Sequence, residues 1–194
     1  MAAPRRRERG RAERHRLIVT AARELAEAEG WGAVTTRRLA ERVEYSQPVL
    51  YSHFTGKDAI VAAVADEGFE DLATALHRAR AGHRNARAGL RALADAYLEF
   101  ARAGPAVYAA MFTRGTGPAL GTAATPAPLK AVFGELHDTV EPLATARGAD
   151  PEACTELLWS ALHGLATLTE GSRLRPAAHR ARLDLLVGLV TAGA

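Results

Sequence analysis

The chain has 194 residues, 48% of them hydrophobic and only 6% aromatic, with a formal net charge of +3. That length holds one or two compact domains with real cores, and the Ala- and Leu-rich composition favours helices. A single cysteine, Cys154, excludes an intrachain disulfide and reads as a buried thiol in a cytoplasmic protein. No apolar run approaches the ~20 residues of a membrane span, and no apolar segment follows the basic start as it would in a secretory leader.

Charge is spread unevenly along the chain. Residues 1–57 carry twelve Lys/Arg against seven Asp/Glu, a balance of +5, and residues 58–194 carry thirteen against fifteen, a balance of −2. A polyanion would therefore meet the first part. Residues 1–16 form a basic arm holding Arg5, Arg6, Arg7, Arg9, Arg11, Arg14 and Arg16. Such a run is either a solvated tail or an arm laid along phosphates, and both uses predict mobility in the free protein. The first helix is predicted over Arg11 to Glu29, with Leu17, Ile18, Ala21, Ala22, Leu25 and Ala28 as its buried stripe. Gly30 stops it and Trp31 tucks in behind.

Residues 35–58 read as two short helices with a tight break, followed by the start of a longer one. Thr35 or Thr36 caps a helix running to about Val43, with Leu39, Ala40 and Val43 on one side. Ser46 caps the next, and Pro48 falls in its first turn, where a missing amide hydrogen is harmless. Leu50 and Phe54 point inward, which leaves Gln47, Val49, Tyr51, Ser52 and His53 largely outside. Two helices joined this closely make a helix-turn-helix, whose second helix is shaped to enter a major groove. Gln47 suits the edge of adenine, Arg37 the edge of guanine, and Val49 a thymine methyl. Ser46, Tyr51, His53 and Lys57 are donors placed to reach phosphates. On spacing alone, an ordinary hairpin in a helical bundle remains an equal alternative.

Residue identity bears on that choice. Thr35-Thr36-Arg37, Leu39-Ala40, Gln47-Pro48, Leu50-Tyr51, His53 and Lys57 closely resemble the DNA-binding motif of the tetracycline-repressor (TetR) family of bacterial regulators. The resemblance implies DNA binding by Thr36, Arg37, Ser46, Gln47, Pro48, Val49, Tyr51, His53 and Lys57. The family usually has Gly in the turn where this chain has Glu44. A left-handed residue there costs about 1–2 kcal/mol, so the turn is either reshaped or strained.

Thr55 caps a long helix from Lys57 to about Ala81. Its first turns (Ile60, Val61, Val64) are expected to pack on the DNA-binding part, and its later ones (Phe69, Leu72, Leu76) on a second domain. The resemblance implies that this helix carries an effector signal. A helix follows from Asn85 to Ala103, then a short one from Pro105 to Phe112 after the Gly104-Pro105 break. Thr113 to Pro128 lacks periodicity and reads as a long loop. Leu129 to Arg147 is helical again, with a bend at Pro142. Asp150-Pro151-Glu152 starts a helix reaching about Thr169, and Arg175 to Val190 is the last. Apolar residues wrap both of these on two sides, which predicts a homodimer through the last two helices.

Trp159, His163 and Gly164 resemble a subgroup of TetR-like regulators named for its Trp, His and Gly. Trp159 and His163, four residues apart, either line an effector pocket or simply pack, with Gly164 allowing close helix approach. No phosphate loop, nucleophile elbow or metal-spaced histidine pair occurs, so neither catalysis nor a cofactor or metal is expected. The expectation is an all-α protein of about nine helices. Residues 1–54 would bind double-stranded operator DNA, and residues 55–194 would dimerise and sense a small molecule. The effector would meet Phe69, Tyr97, Phe100, Tyr108, Met111, Phe133, Trp159 and His163. The alternative is a helical dimer whose C-terminal bundle binds a protein partner.

Overall fold

A computed structural model describes residues 2–83, 85–112 and 125–192. Among them the regular structure is entirely helical, as expected: α1 (Ala2–Glu29), α2 (Thr36–Arg42), α3 (Gln47–Tyr51), α4 (Lys57–Ala81), α5 (Ala86–Ala103), α6 (Pro105–Phe112), α7 (Ala127–Ala146), α8 (Pro151–Glu170) and α9 (His179–Thr191). Single 3-10 turns lie at Trp31–Ala33 and Pro176–Ala178. The chain divides into two compact units, one from Met1–Gly68 with Gly104–Gly115, the other from Phe69–Ala103 with Thr116–Ala194. These limits differ from a split after residue 54, because the first unit takes in the start of α4 and all of α6.

In the first unit, α1 packs on the Trp31–Ala33 turn, on α2 and on α6, and α2 packs on α3. Ile18, Val19, Ala22, Leu25, Leu39, Leu50 and Ile60 are among its most deeply buried apolar side chains. The stripe predicted on α1 is too wide. Leu17 is 45% exposed and Ala28 is also exposed, because both lie at the far edge of the face that Ile18, Ala22 and Leu25 centre. The segment read as a mobile arm is instead the first turns of α1, which begins at Ala2 rather than Arg11. Ala, Arg and Glu are strong helix formers, and Pro4 falls in the first turn.

In the second unit, α5 packs on α7, α8 and α9, and those three pack on one another. Leu90, Leu93, Tyr97, Leu136, Val140, Leu158, Leu162 and Leu183 fill the middle. The helix ends are locally encoded. Asn85 Oδ1 accepts from the Ala88 amide at 3.0 Å, and Asp150 Oδ1 from the Glu152 amide at 3.1 Å. Gly148, at φ 68, closes α7 with the Ala149 amide donating to the Ala144 carbonyl at 2.9 Å. α7 runs through Pro142 without ending there. The last helix starts at His179 rather than Arg175, because Pro176 opens a 3-10 turn first. Most of the predicted loop Thr113–Pro128 falls outside the described residues, and its last two residues, from Ala127, belong to α7.

Long-range polar contacts join these helices. Arg91 binds Asp95 at 2.8 Å within α5 and also reaches Asp184 on α9. Arg80 reaches Glu135 and holds Asp138 at 2.8 Å, both on α7. Arg147 donates to the Val190 carbonyl at 3.0 Å and to Cys154 Sγ at 3.1 Å. The thiol is half-buried beside a guanidinium that is seven residues away in sequence, not sealed in an apolar core.

Candidate nucleic-acid interface

The interface is built on α2. Its first turn is capped by Thr35, whose hydroxyl accepts from the Arg38 amide at 3.2 Å. Its last turn ends on Glu44 in the left-handed region, φ 56. The Glu44 amide donates to the Glu41 carbonyl at 3.4 Å and the Tyr45 amide to the Ala40 carbonyl at 3.0 Å. The strain is therefore accepted rather than avoided: the left-handed residue lets two terminal carbonyls of α2 find partners.

Arg38 fixes α2 to α1, its guanidinium donating to both Glu29 carboxylate oxygens at 2.8 Å. Arg42 adds a bond to Glu24 at 2.9 Å. The Arg38 hydrogen bond holds the Glu29 carboxyl below its ordinary value. Exposed pairs of this kind stabilise little, so their contribution is orientation.

α3 follows at once. The Ser46 carbonyl accepts from the Val49 and Leu50 amides at 3.0 and 3.3 Å, whereas its hydroxyl makes no capping bond. Pro48 sits in the first turn, and Leu50 and Phe54 are buried. Ser46, Gln47, Pro48, Tyr51 and Arg37 are exposed, with Tyr51 at 53%; Val49 is half-buried. Tyr51 and Thr36 come together with hydroxyls 3.5 Å apart. Arg37 donates to Glu41 at 3.0 Å. Lys57 instead donates to the Trp31 carbonyl, which ties the start of α4 to the turn after α1. His53 is half-buried with its ring centroid 6.5 Å from that of His15, and His15 stacks on Phe54 at 4.5 Å. Burial, then the charges of Arg11 and Arg14 and the neighbouring His15, depress the His53 pKa.

Two residues that matter to this unit, Glu27 and Gly68, escaped the sequence reading, and Trp31 does more there than tuck in behind α1. Glu27 accepts from the amides of Ala106 and Val107 at 3.1 and 2.9 Å, so a carboxylate on α1 caps α6. Trp31 Nε1 donates to the Ala106 carbonyl at 2.8 Å. A Cβ on Gly68 would lie 2.8 Å from Val107 Cγ1 and 2.9 Å from Met111 Sδ, so any side chain there would force those side chains of α6 to shift. An isolated Gly inside the long apolar pattern of α4 was the available signal.

The structure divides the residues predicted for an effector site. Tyr108 and Met111 are buried in the first unit, with the rest in the second. There, the hydroxyl of the fully buried Tyr97 accepts from Trp159 Nε1 at 3.0 Å. His163, one turn further along α8, is half-buried, and that burial lowers its pKa. Phe69 is buried, and Phe100 and Phe133 are half-buried. A Cβ on Gly164 would meet nothing within 4 Å, so close helix approach within this chain does not explain that glycine. Among the described residues no group of three or more His, Cys, Asp or Glu could hold a metal ion.

Comparison with known proteins matches both parts of the chain. Residues 18–64 fit the family model described as bacterial regulatory proteins, tetR family, and residues 90–190 fit the tetracyclin repressor-like C-terminal domain. The second description does not single out a Trp-His-Gly subgroup. The HTH-type transcriptional regulator YobS of Bacillus subtilis is 33% identical over 99 residues, 49% of each chain. The class C tetracycline repressor protein of Escherichia coli is 45% identical over 49 residues, 25% of this chain and 22% of the repressor. The chain thus spans about half the length, or less, of the curated relatives it matches. A solved structure of a protein of unknown function from Rhodococcus sp. RHA1 superposes with a TM-score of 0.69 at 27% identity, covering 91% of both chains.

Proposed function

The chain belongs to the TetR family of bacterial transcriptional regulators, and on that premise we propose a homodimeric repressor that a small molecule releases from a palindromic operator. The observation that carries this reading is the exposure of Gln47, Pro48 and Tyr51 on α3, a short helix packed on α2, which Thr35, Arg38 and Arg42 in turn hold in place. Gln47 and Arg37 would read base edges. Ser46, Thr36, Tyr51, His53 and Lys57 would fix register on phosphates, with Val49 and Pro48 fitting against the groove. DNA binding is assigned to residues 1–54, and dimerisation and effector binding to residues 55–194. The protein would work in the cytoplasm, where bacterial DNA lies.

Dimerisation is supported by the leucines left in water. Leu157, Leu185 and Leu189 are 71%, 68% and 72% exposed, all on the last two helices. A two-fold axis there would set two recognition helices on successive major grooves, ~34 Å apart. The effector reading is supported by Tyr97 and Trp159, a polar pair within apolar surroundings, with His163 and Phe133 in the same unit. A largely apolar effector would shift the population toward a conformation with misplaced recognition helices.

Selection of bound sequences from random duplex DNA tests this, and a palindromic consensus is expected. On that operator, Tyr51→Phe should weaken binding to all sequences alike. Gln47→Ala should relax preference at one base pair by ~1–3 kcal/mol. Unchanged affinity in both variants would count against the assignment. Thermal shift across a metabolite panel tests the effector half.

A further inference from the structure

Where the basic end of α1 passes the end of α3 and the flank of α4, the first unit contains an open cleft of about 480 Å³. Glu8, Arg11, His15 and Arg16 line it from α1, His53 from the segment after α3, and Glu67 from α4. Arg11 and His15 are four residues apart on one helix face. They stand where the apolar stripe of Ile18, Ala22 and Leu25 gives way to cationic residues, past the edge of the core. His53 lies two residues beyond Tyr51, so the cleft continues the proposed recognition surface.

We propose that this cleft receives a backbone phosphate of the bound duplex, held by Arg11 and Arg16 with His53 as a hydrogen-bond donor, and that binding there takes up a proton. The proposal rests on the operator-binding reading and adds a second anchoring point to it, on α1. Without DNA, the half-buried His53 lies beside the cations Arg11, Arg14 and Arg16 and beside His15, while Glu8 and Glu67 are the acids lining the cleft. Burial and the neighbouring positive charge disfavour its imidazolium form. A phosphate oxyanion reverses the local field and favours the imidazolium, which then donates from both ring nitrogens. The sign follows: protonation and DNA favour each other, so affinity rises as pH falls through the histidine range.

The test uses the full chain on its selected operator, with affinity measured by fluorescence anisotropy from about pH 8 to about pH 6 at fixed salt. The wild-type protein should bind about three- to tenfold more tightly at the acid end. His53→Gln should flatten that dependence, and Arg11→Gln, an exposed position that leaves folding intact, should reduce the salt slope by about one. A neutral methylphosphonate at one flanking operator phosphate should abolish both effects together. A pH dependence that survives in His53→Gln, with an unchanged salt slope in Arg11→Gln, overturns the proposal. So does a His53 ring resonance that titrates identically with and without DNA yet shifts with inorganic phosphate alone, which would make the cleft a site for free anions. Absence of sequence-selective binding at every pH would instead sink the operator reading, and the cleft proposal with it.

Discussion

Around α3 the side chains left to water include Gln47, Pro48, Tyr51 and Ser52, whereas α8 and α9 leave the large apolar side chains Leu157, Leu168, Leu185 and Leu189 exposed among their polar residues. Both surfaces come from short-range helical patterns, but they are incomplete in different ways. The polar surface is stable in water and waits for a polyanion. The apolar one removes solvent only when a second apolar surface covers it. Internal fastening differs too. The first unit holds its small helices with directed contacts: Arg38 on Glu29, Glu27 on the α6 amides, Trp31 on the Ala106 carbonyl. The second has a larger leucine core, with Tyr97 fully buried in it, and its directed contacts, such as Arg91 on Asp184 and Arg80 on Asp138, join longer helices. A small domain that must present one helix in a set orientation gains from contacts that specify angle, which apolar packing alone does less well.

Breaking the apolar surface should have the largest effect. Leu185→Glu with Leu189→Glu should convert a dimer to monomers in sedimentation and reduce operator affinity at least about a hundredfold, since two half-sites would no longer be bound as one unit. A dimer that persists with full operator affinity would place the subunit contact elsewhere.

The directed packing of the first unit is tested next by Gly68→Ala. In an exposed helix this change stabilises by roughly 1 kcal/mol. Here the new methyl would meet Val107 and Met111, and overpacking should destabilise by about 1–3 kcal/mol, read as a lower thermal midpoint. The sign alone decides the matter.

The smallest expected effect belongs to Glu44→Gly, which should relieve up to about 1 kcal/mol of left-handed strain, partly offset by greater freedom of the unfolded chain. No gain in thermal midpoint would mean that the Glu44 side chain makes up for its backbone.

pH distinguishes the units less sharply. Burial lowers the pKa of both His53 and His163. The unfolded chain therefore binds more protons as pH falls below about 6.5, and the free protein should lose stability there. Thermal unfolding of His163→Gln should show part of that loss removed.

Much of the architecture was legible because its causes are local. α4 and α6 have the limits that caps and breakers predicted, from Lys57 to Ala81 and from Pro105 to Phe112. Thr35, Asp150 and Gly30 act where their chemistry placed them. The exposure of Gln47 and Tyr51 followed from putting Leu50 and Phe54 inside. The start of α1 was misjudged because a run of arginines was weighed as charge, although arginine is also a good helix former. Tyr108 and Met111 were grouped with Tyr97 and Trp159 as large apolar side chains, and hydrophobicity carries no address.

The sequence by itself determined the helices, the turn between α2 and α3, the polar face of α3 and the family to which the chain belongs, since each depends on residues within a turn or two of one another. Only the tertiary structure decided that α6 returns to α1 and α4, that Glu27 caps it, that Gly68 lies close against Val107 and Met111, and that Arg147 lies against Cys154. Those contacts depend on where a distant stretch of chain comes back, and that is set by the packing of whole faces rather than by the spacing of neighbours.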